Sequence, residues 1–356
     1  LSDQFRTPLG AKHEPTLPVL VGFAFLNHAL RLGVLSMYKP LKKSAQLSGS
    51  NDETLARVSH LYYVLGLAQN EIAKRLAITR FKVHRLLVRA REKGMVRIEI
   101  DVPYAARFEL ESALMEAYGL SAAFVFPSDA SDDVSVSEVI GIYAANVAAG
   151  FIKDGMTIAT SWGQTLRALA IAMEPNPAHD LSVVSMIGSL STRSGQDKYE
   201  AATVLAERLG AECFYLPGPI LCDTMAAKEI INAQPAAQIA MEKSKTAHLA
   251  LLSIGGREMS SIKDAAFLSD EMYQQALDAG AIGNFLGRFI GADGAPIQHD
   301  LNRLSVGIDP DSIHEIPCRI LCAGGSHKVA AMKAVLLRDV ATVLVTNDQT
   351  ARALLK

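Results

Sequence analysis

The stretch Leu67–Arg97, LAQNEIAKRLAITRFKVHRLLVRAREKGMVR, reads as two short helices joined by a tight turn and running into a wing-like strand. Ile72, Ala73 and Leu76 recur at helical spacing, Ile78 fills the turn, and Thr79 stands where it can N-cap the second helix. Val83, Leu86 and Leu87 mark the buried stripe of that helix, which leaves Arg80, Phe81, Lys82, His84, Arg85 and Arg89 facing outward. A short second helix with basic and polar side chains at its N-terminal end is the element a helix-turn-helix lays in the major groove, so duplex DNA is the expected partner. Gly94 closes the helix, and Met95–Ile100 alternates like a strand.

The placement of charge points the same way. Residues 53–97 hold ten Lys or Arg against three acids, a net charge of +7, while the 356-residue chain as a whole carries −2. A basic segment on an otherwise acidic chain is an electrostatic footprint for phosphate, because binding releases condensed counterions. The competing reading is an amphipathic helical hairpin whose basic face is simply solvated, and it requires the turn, the cap and the one-sided charge to coincide by accident.

With 49% hydrophobic and 20% charged residues, the chain can bury a sizeable core and is expected to hold one large domain and one small one. Cysteines 213, 222, 318 and 322 lack paired metal-ligand spacing, and buried free thiols are the better reading of them. No cofactor and no metal are called for. Nothing implies export or an oxidising compartment, and a cytoplasmic location is expected. Leu17–Leu35 is apolar enough to raise the question of a membrane span, but Asn27, His28 and Arg31 in its middle argue against one. Residues 1–50 read as a poorly specified extension, and translation starting at Met37 would lose little folded structure.

Beyond Asp101-Val-Pro the pattern changes to apolar strands alternating with helices. Strands are expected at Ala122–Phe126, Thr157–Thr160, Leu181–Ile187, Cys213–Leu216, His248–Ile254, Arg319–Cys322 and Thr342–Val345. Helices are expected over 105–118, 135–152, after Trp162, and over 197–209, 225–241, 327–337 and 348–355. Such alternation predicts a mainly parallel sheet covered on both faces, whose ligands collect at the carboxyl ends of the strands.

That rule directs attention to Ile158-Ala-Thr-Ser-Trp-Gly-Gln-Thr165. A strand empties into small residues and a helix begins, so backbone N–H groups, the Ser161 and Thr165 hydroxyls and the helix dipole can converge on an anion. Equally, this is an ordinary strand-to-helix turn in which Ser161 or Thr165 caps the helix and Gly163 allows close packing. Gly188-Ser189 and Gly255-Gly256 follow other strand ends and invite the same two readings. In Ala323-Gly-Gly-Ser-His-Lys328 a lysine sits on the first turn of a helix, where it opposes the dipole unless an anion lies close by; the alternative is a lysine snorkelling into solvent. His327 is expected to be exposed.

Leu61–Arg97 resembles the N-terminal domain of SorC-family transcriptional regulators, the sugar-binding SorC/DeoR group. DGMTIATSWGQTL resembles the family's strand-SWG-x-T-helix segment, GAIGNFLGRFIGADG its Gly-rich hairpin-like segment, and CAGGSHKVAAMKAVLLRDVATVLVTNDQTARALL its closing, lysine-bearing half. Together these cover about residues 53–356. The resemblance implies an α/β protein: a helix-turn-helix DNA-binding domain over 51–102, then a Rossmann-like, doubly wound effector and oligomerisation domain over 103–356, similar to sugar-phosphate isomerases and glucosamine-phosphate deaminases. It implies a sugar, polyol or sugar-phosphate effector that changes affinity for operator DNA, in a homodimer or homotetramer with no membrane partner. By position, Ser161, Gly163, Gln164 and Thr165 line the anion end, Lys328 supplies charge, Gly188 and Ser189 flank it, and Gln196 reaches the sugar end.

The chain departs from the family pattern in three places. Ser253-Ile254-Gly255-Gly256 stands where many relatives read Gly-Ile-Gly, and Asn284 and Asn347 replace usual aspartates, with Asp348 following the second. The two amides are read either as a changed hydroxyl pattern on the effector or as neutral surface drift. The competing function is an active sugar-phosphate isomerase or deaminase fused to a DNA-binding domain. Such an enzyme needs a positioned acid/base pair, and the turns offer Ser, Gly, Thr, Gln and Lys instead.

Overall fold

The computed structural model describes residues 51–96, 104–128, 133–189, 200–257 and 268–356. The chain divides into two compact units, 1–100 and 101–356. Gln196 and most of the expected strand Met95–Ile100 fall outside the described residues; Met95 and Val96 are described and have no strand pairing.

In the first unit, helix α1 (Asn51–Ser59) runs on through one π-helical turn, His60–Val64, and is followed by α2 (Gln69–Leu76) and α3 (Arg80–Glu92). The Thr79 hydroxyl accepts the Lys82 N–H at 3.1 Å and so starts α3 as the sequence led us to expect. At the head of α2, the Glu71 carboxylate accepts the Ala68 N–H at 2.8 Å. Ala77 ends α2 in the left-handed conformation (φ 53°), which costs a residue with a Cβ about 1–2 kcal/mol. That cost is outweighed by the small core it allows, in which Val58, Leu61, Ile72, Ala73, Val83 and Leu87 are buried and Ile78 packs against them from the turn. An exposed ion pair from Lys93 to Asp52 joins the end of α3 to α1.

The second unit is a mixed α/β fold around a seven-stranded parallel sheet. Its strands are β1 (Ala122–Phe126), β2 (Thr157–Thr160), β3 (Ser182–Ser185), β4 (Glu212–Phe214), β5 (Leu249–Leu252), β9 (Cys318–Cys322) and β10 (Val343–Asn347), in the order β1-β10-β9-β5-β2-β3-β4. The central strands are apolar throughout because successive side chains enter different cores. On β5, Leu249 and Leu251 point into one core while Ala250 and Leu252 point into the other; on β9, Ile320 and Cys322 part company with Leu321 in the same way.

One face is covered by α5 (Asp133–Ala149), α6 (Gln164–Ala172) and α7 (Ala202–Leu209). The other carries α4 (Ala105–Tyr118), α9 (Pro235–Lys245), α12 (Val329–Leu337) and α13 (Asp348–Leu354). The helix expected over 225–241 is two helices, α8 (Met225–Asn232) and α9. Pro235 has no N–H to continue α8 and instead occupies the first turn of α9, where none is needed.

A small antiparallel sheet, β6 (Gly255–Gly256), β7 (Gly283–Phe285) and β8 (Arg288–Ile290), was not expected beyond the hairpin-like resemblance. It packs with α10 (Asp270–Asp278) and α11 (Asp300–Leu304) around Tyr273, Phe289 and Leu301. Phe285 pairs with Arg288 across a two-residue turn in which Leu286 and Gly287 both have positive φ, 47° and 73°. This is the turn whose twist suits a hairpin, but it strains leucine by about 1–2 kcal/mol. Leu286 is only 3% exposed, and burying its side chain contributes about 1.5–3 kcal/mol, enough to hold the strained turn.

Two of the four cysteines, Cys222 and Cys322, are buried; Cys213 and Cys318 are half-buried, and all four are free thiols. Burial pushes the thiols upward, Cys322 most of all. Among the described residues, no helix is long and apolar enough to cross a membrane.

Candidate effector cleft and nucleic-acid face

The order of the sheet reverses beside β2. From β2 the chain steps outward to β3 and β4, then returns to the other side of β2 as β5 and continues toward β9 and β10. A crevice opens at the carboxyl ends of strands at such a reversal. An open cleft lies there, and it gathers the turn after β2, the end of β5, the β7–β8 hairpin and the loop after β9, with Ile187 after β3 and Ser137 on α5.

Five of the sequence-derived effector residues line this cleft together: Ser161, Gly163, Gln164, Thr165 and Lys328. Gly163 is the N-cap of α6 with φ 137°, Gln164 and Thr165 open its first turn, and no side chain caps it. The capping reading of Ser161 and Thr165 therefore fails. The positive end of α6 meets the cleft, with the buried Ser161 and Thr165 beside it. Lys328 does not snorkel either. It is 8% exposed, and its Nζ donates to the Ser137 hydroxyl at 3.4 Å.

Gly188 and Ser189 do not line the cleft, although their neighbour Ile187 does. Their N–H groups donate to the Val306 and Gly218 carbonyls at 3.1 and 2.9 Å, binding the β3 loop to neighbouring loops.

Trp162, Ser253, Leu286 and His327 join the lining without having been singled out as ligand contacts, and Asn284, one of the two amides read as a changed hydroxyl pattern or as surface drift, joins it as well. His327, expected to be exposed, is half-buried there. Asn284 is buried opposite Gly255 across the β6–β7 ladder, and a Cβ on Gly255 would stand 2.2 Å from the Asn284 amide nitrogen. Glycine at 255 is what leaves room for that amide at the cleft. Gly256 does the same for the backbone, since a Cβ there would come 2.4 Å from the His327 carbonyl oxygen.

Asn347, the other amide that departs from the family pattern, is not surface drift. It is buried and N-caps α13, accepting the Thr350 N–H at 2.9 Å. The Thr350 hydroxyl in turn accepts the Gly325 N–H at 3.0 Å, tying that cap to the loop that carries Lys328. Behind the hairpin, burial pulls Arg288 below its usual value while Asp309 opposes the shift, and burial together with Arg288 lowers Lys228.

In the first unit, Arg80, Phe81, Lys82, His84, Arg85 and Arg89 are all exposed, on the side of α3 away from its core.

Residues 102–356 match the family model described as "Putative sugar-binding domain". The chain belongs to this family of SorC-type transcriptional regulators. It is 32% identical to the deoxyribonucleoside regulator of Bacillus subtilis (strain 168), over 83% of this chain and 95% of that protein. Against the erythritol catabolism regulatory protein EryD of Brucella abortus (strain 2308) the identity is 26%, over 87% and 98%. The crystal structure of the full-length sorbitol operon regulator SorC from Klebsiella pneumoniae superposes with a TM-score of 0.66 at 26% identity, covering 86% of this chain and 100% of that one. These relatives are named as regulators and not as enzymes, and the chain is a transcriptional regulator of the same kind.

Proposed function

We propose that residues 51–102 are a helix-turn-helix domain that binds double-stranded operator DNA through α3, and that residues 103–356 are a Rossmann-like, doubly wound effector and oligomerisation domain. The effector is a sugar, polyol or sugar phosphate taken up by carbohydrate or polyol catabolism, and its binding alters operator affinity in a cytoplasmic homodimer or homotetramer. Ser161, Gly163, Gln164 and Thr165 hold its anionic end, Lys328 supplies the counter-charge, and Gln196 reaches the sugar end, while Gly188 and Ser189 only brace the loop that brings Ile187 to the cleft. The observation that carries this reading is the convergence of an uncapped helix start and a buried lysine on one cleft at the reversal of the sheet. Relatives named for deoxyribonucleosides, erythritol and sorbitol support the ligand class.

An isomerase or deaminase reading has less support. The described residues that line the cleft include one lysine and one histidine and no carboxylate, a poor set for paired acid/base chemistry.

A thermal-shift screen of sugars, polyols and their phosphates on the full chain tests the proposal, because a ligand that binds only the folded state raises the melting temperature. The active ligand must also change affinity for operator DNA. A ligand that stabilises the protein and is chemically converted by it would favour the enzyme instead.

A further inference from the structure

Phe81 is 70% exposed at the second position of α3, on a helix otherwise dressed in charge. Successive residues of an α-helix turn by about 100°, so Phe81, His84, Arg85 and Val88 fall on one stripe. That stripe lies roughly 150° around the helix from the buried residues Val83, Leu87 and Ala90. Arg80 stands to one side of the stripe, and Lys82 and Arg89 to the other. The ring is therefore at the crest of the exposed face, flanked by cations on both sides and close to the end of the helix that would enter a groove.

A face with an apolar centre and cationic margins fits a partner with an apolar spot between two anionic ridges. The floor of the DNA major groove between its phosphate backbones is such a partner, and the apolar group it displays is the C5-methyl of thymine. We infer that Phe81 reads a thymine methyl in the operator, with His84 and Arg85 on neighbouring base edges and Arg80, Lys82 and Arg89 on phosphates. This rests on the DNA-binding reading of α3 and deepens it: Phe81 becomes a determinant of sequence preference. An apolar ring makes no ion pair with phosphate, so its contribution depends on the base it covers, and its removal leaves the cationic margins in place.

The test uses the full-length protein and a duplex enriched from a random-sequence pool by the protein itself. Each thymine is replaced in turn by deoxyuridine, which removes the methyl and preserves pairing and the O4 acceptor. Affinity is read by fluorescence anisotropy at one fixed salt concentration. The expected result is a position in each half-site where uracil weakens the wild-type protein about fourfold, the scale of one methyl group returned to water, and where Phe81→Ala shows no such penalty. The melting temperature of Phe81→Ala should match the wild type, since the residue is 70% exposed. Tolerance of uracil everywhere by the wild type, or an equal penalty in Phe81→Ala, overturns the assignment while leaving DNA binding standing. If the pool yields no duplex bound above background, the DNA-binding reading fails and the assignment with it. If Phe81→Ala lowers the molecular mass in solution with its uracil penalties unchanged, the ring covers a second copy of the chain and not a base.

Discussion

The Nζ of Lys328, at the start of α12, lies 3.4 Å from the hydroxyl oxygen of Ser137 on α5, inside a cleft that also receives the uncapped start of α6. Lys328 is only 8% exposed, so water screens its charge little, and a charge-assisted bond from it to an anion would be a strong one. An anion in the cleft would meet the Lys328 charge and the positive end of α6 together.

Lys328→Ala is therefore expected to weaken a phosphorylated effector by roughly ten- to a hundredfold, about 1.5–3 kcal/mol, and an unphosphorylated analogue much less. Thr165→Val should act in the same direction and more weakly. Calorimetric titration of both variants measures this. An unchanged response to the phosphorylated ligand in Lys328→Ala would place the phosphate elsewhere along the strand ends.

Trp162 is the only tryptophan of the chain, and it lines the cleft. Excited at the red edge of its absorption, where the tyrosines do not absorb, its fluorescence is therefore a reporter of this one position. Titrating the effector should give a saturable change whose midpoint agrees with calorimetry. A ligand that raises the melting temperature and leaves the Trp162 emission unaltered at saturation would be bound outside the cleft.

The relay from Asn347 through Thr350 to Gly325 predicts an ordered set of stabilities. Asn347→Ala removes an N-cap and should cost about 1 kcal/mol, whereas Asn347→Asp, an equally good cap, should be nearly neutral. Thr350→Val leaves the buried Gly325 N–H without its acceptor and should cost about 1–3 kcal/mol. Urea midpoints check the ranking. A large change in effector affinity in Asn347→Asp, with stability unaltered, would show instead that this amide tunes the ligand.

On the DNA side, replacing Arg80, Lys82 or Arg89 by alanine should lower the slope of log affinity against log salt by about 1 each while leaving sequence preference intact. Arg85→Ala should instead cost about 1–3 kcal/mol on the preferred duplex and relax the preference. Two half-sites require two copies of α3 at fixed spacing, so light scattering at micromolar concentration should report at least a dimer. A monomer that keeps full operator affinity would count against this.

The parallel sheet was legible because its strands are short apolar runs buried on both faces, with Gly, Pro or polar residues at their ends, and Thr157–Thr160 and Ala122–Phe126 form as read. The site was half legible. The turn after β2 and Lys328 announce themselves locally, as hydroxyls, glycine or a cation placed where a strand gives way to a helix. Leu286 carries no such mark, and Asn284 stood out only as a departure from the family pattern, because both reach the cleft only when the hairpin folds over strand ends far from it in sequence. Gly255 hinted at that contact, since a glycine ending a buried strand is a place where another chain segment can come close. Pro235 was also a readable signal, and the periodicity that runs past it outweighed a helix boundary the proline enforces.

If the cleft controls α3, the two sites obey reciprocity. An effector that lowers operator affinity tenfold must itself bind ten times more weakly to the operator complex, a coupling of about 1.4 kcal/mol in either direction. Measuring effector affinity with and without saturating operator, at the same salt concentration, tests this. Lys328→Ala should weaken effector binding to both forms and leave effector-free operator binding alone, since Lys328 belongs to the unit that does not carry α3. Operator affinity that falls in Lys328→Ala without any effector would mean that the buried lysine already biases the state of the DNA-binding unit. Equal effector affinity for the free and the operator-bound protein would remove the effector from the control of DNA binding altogether.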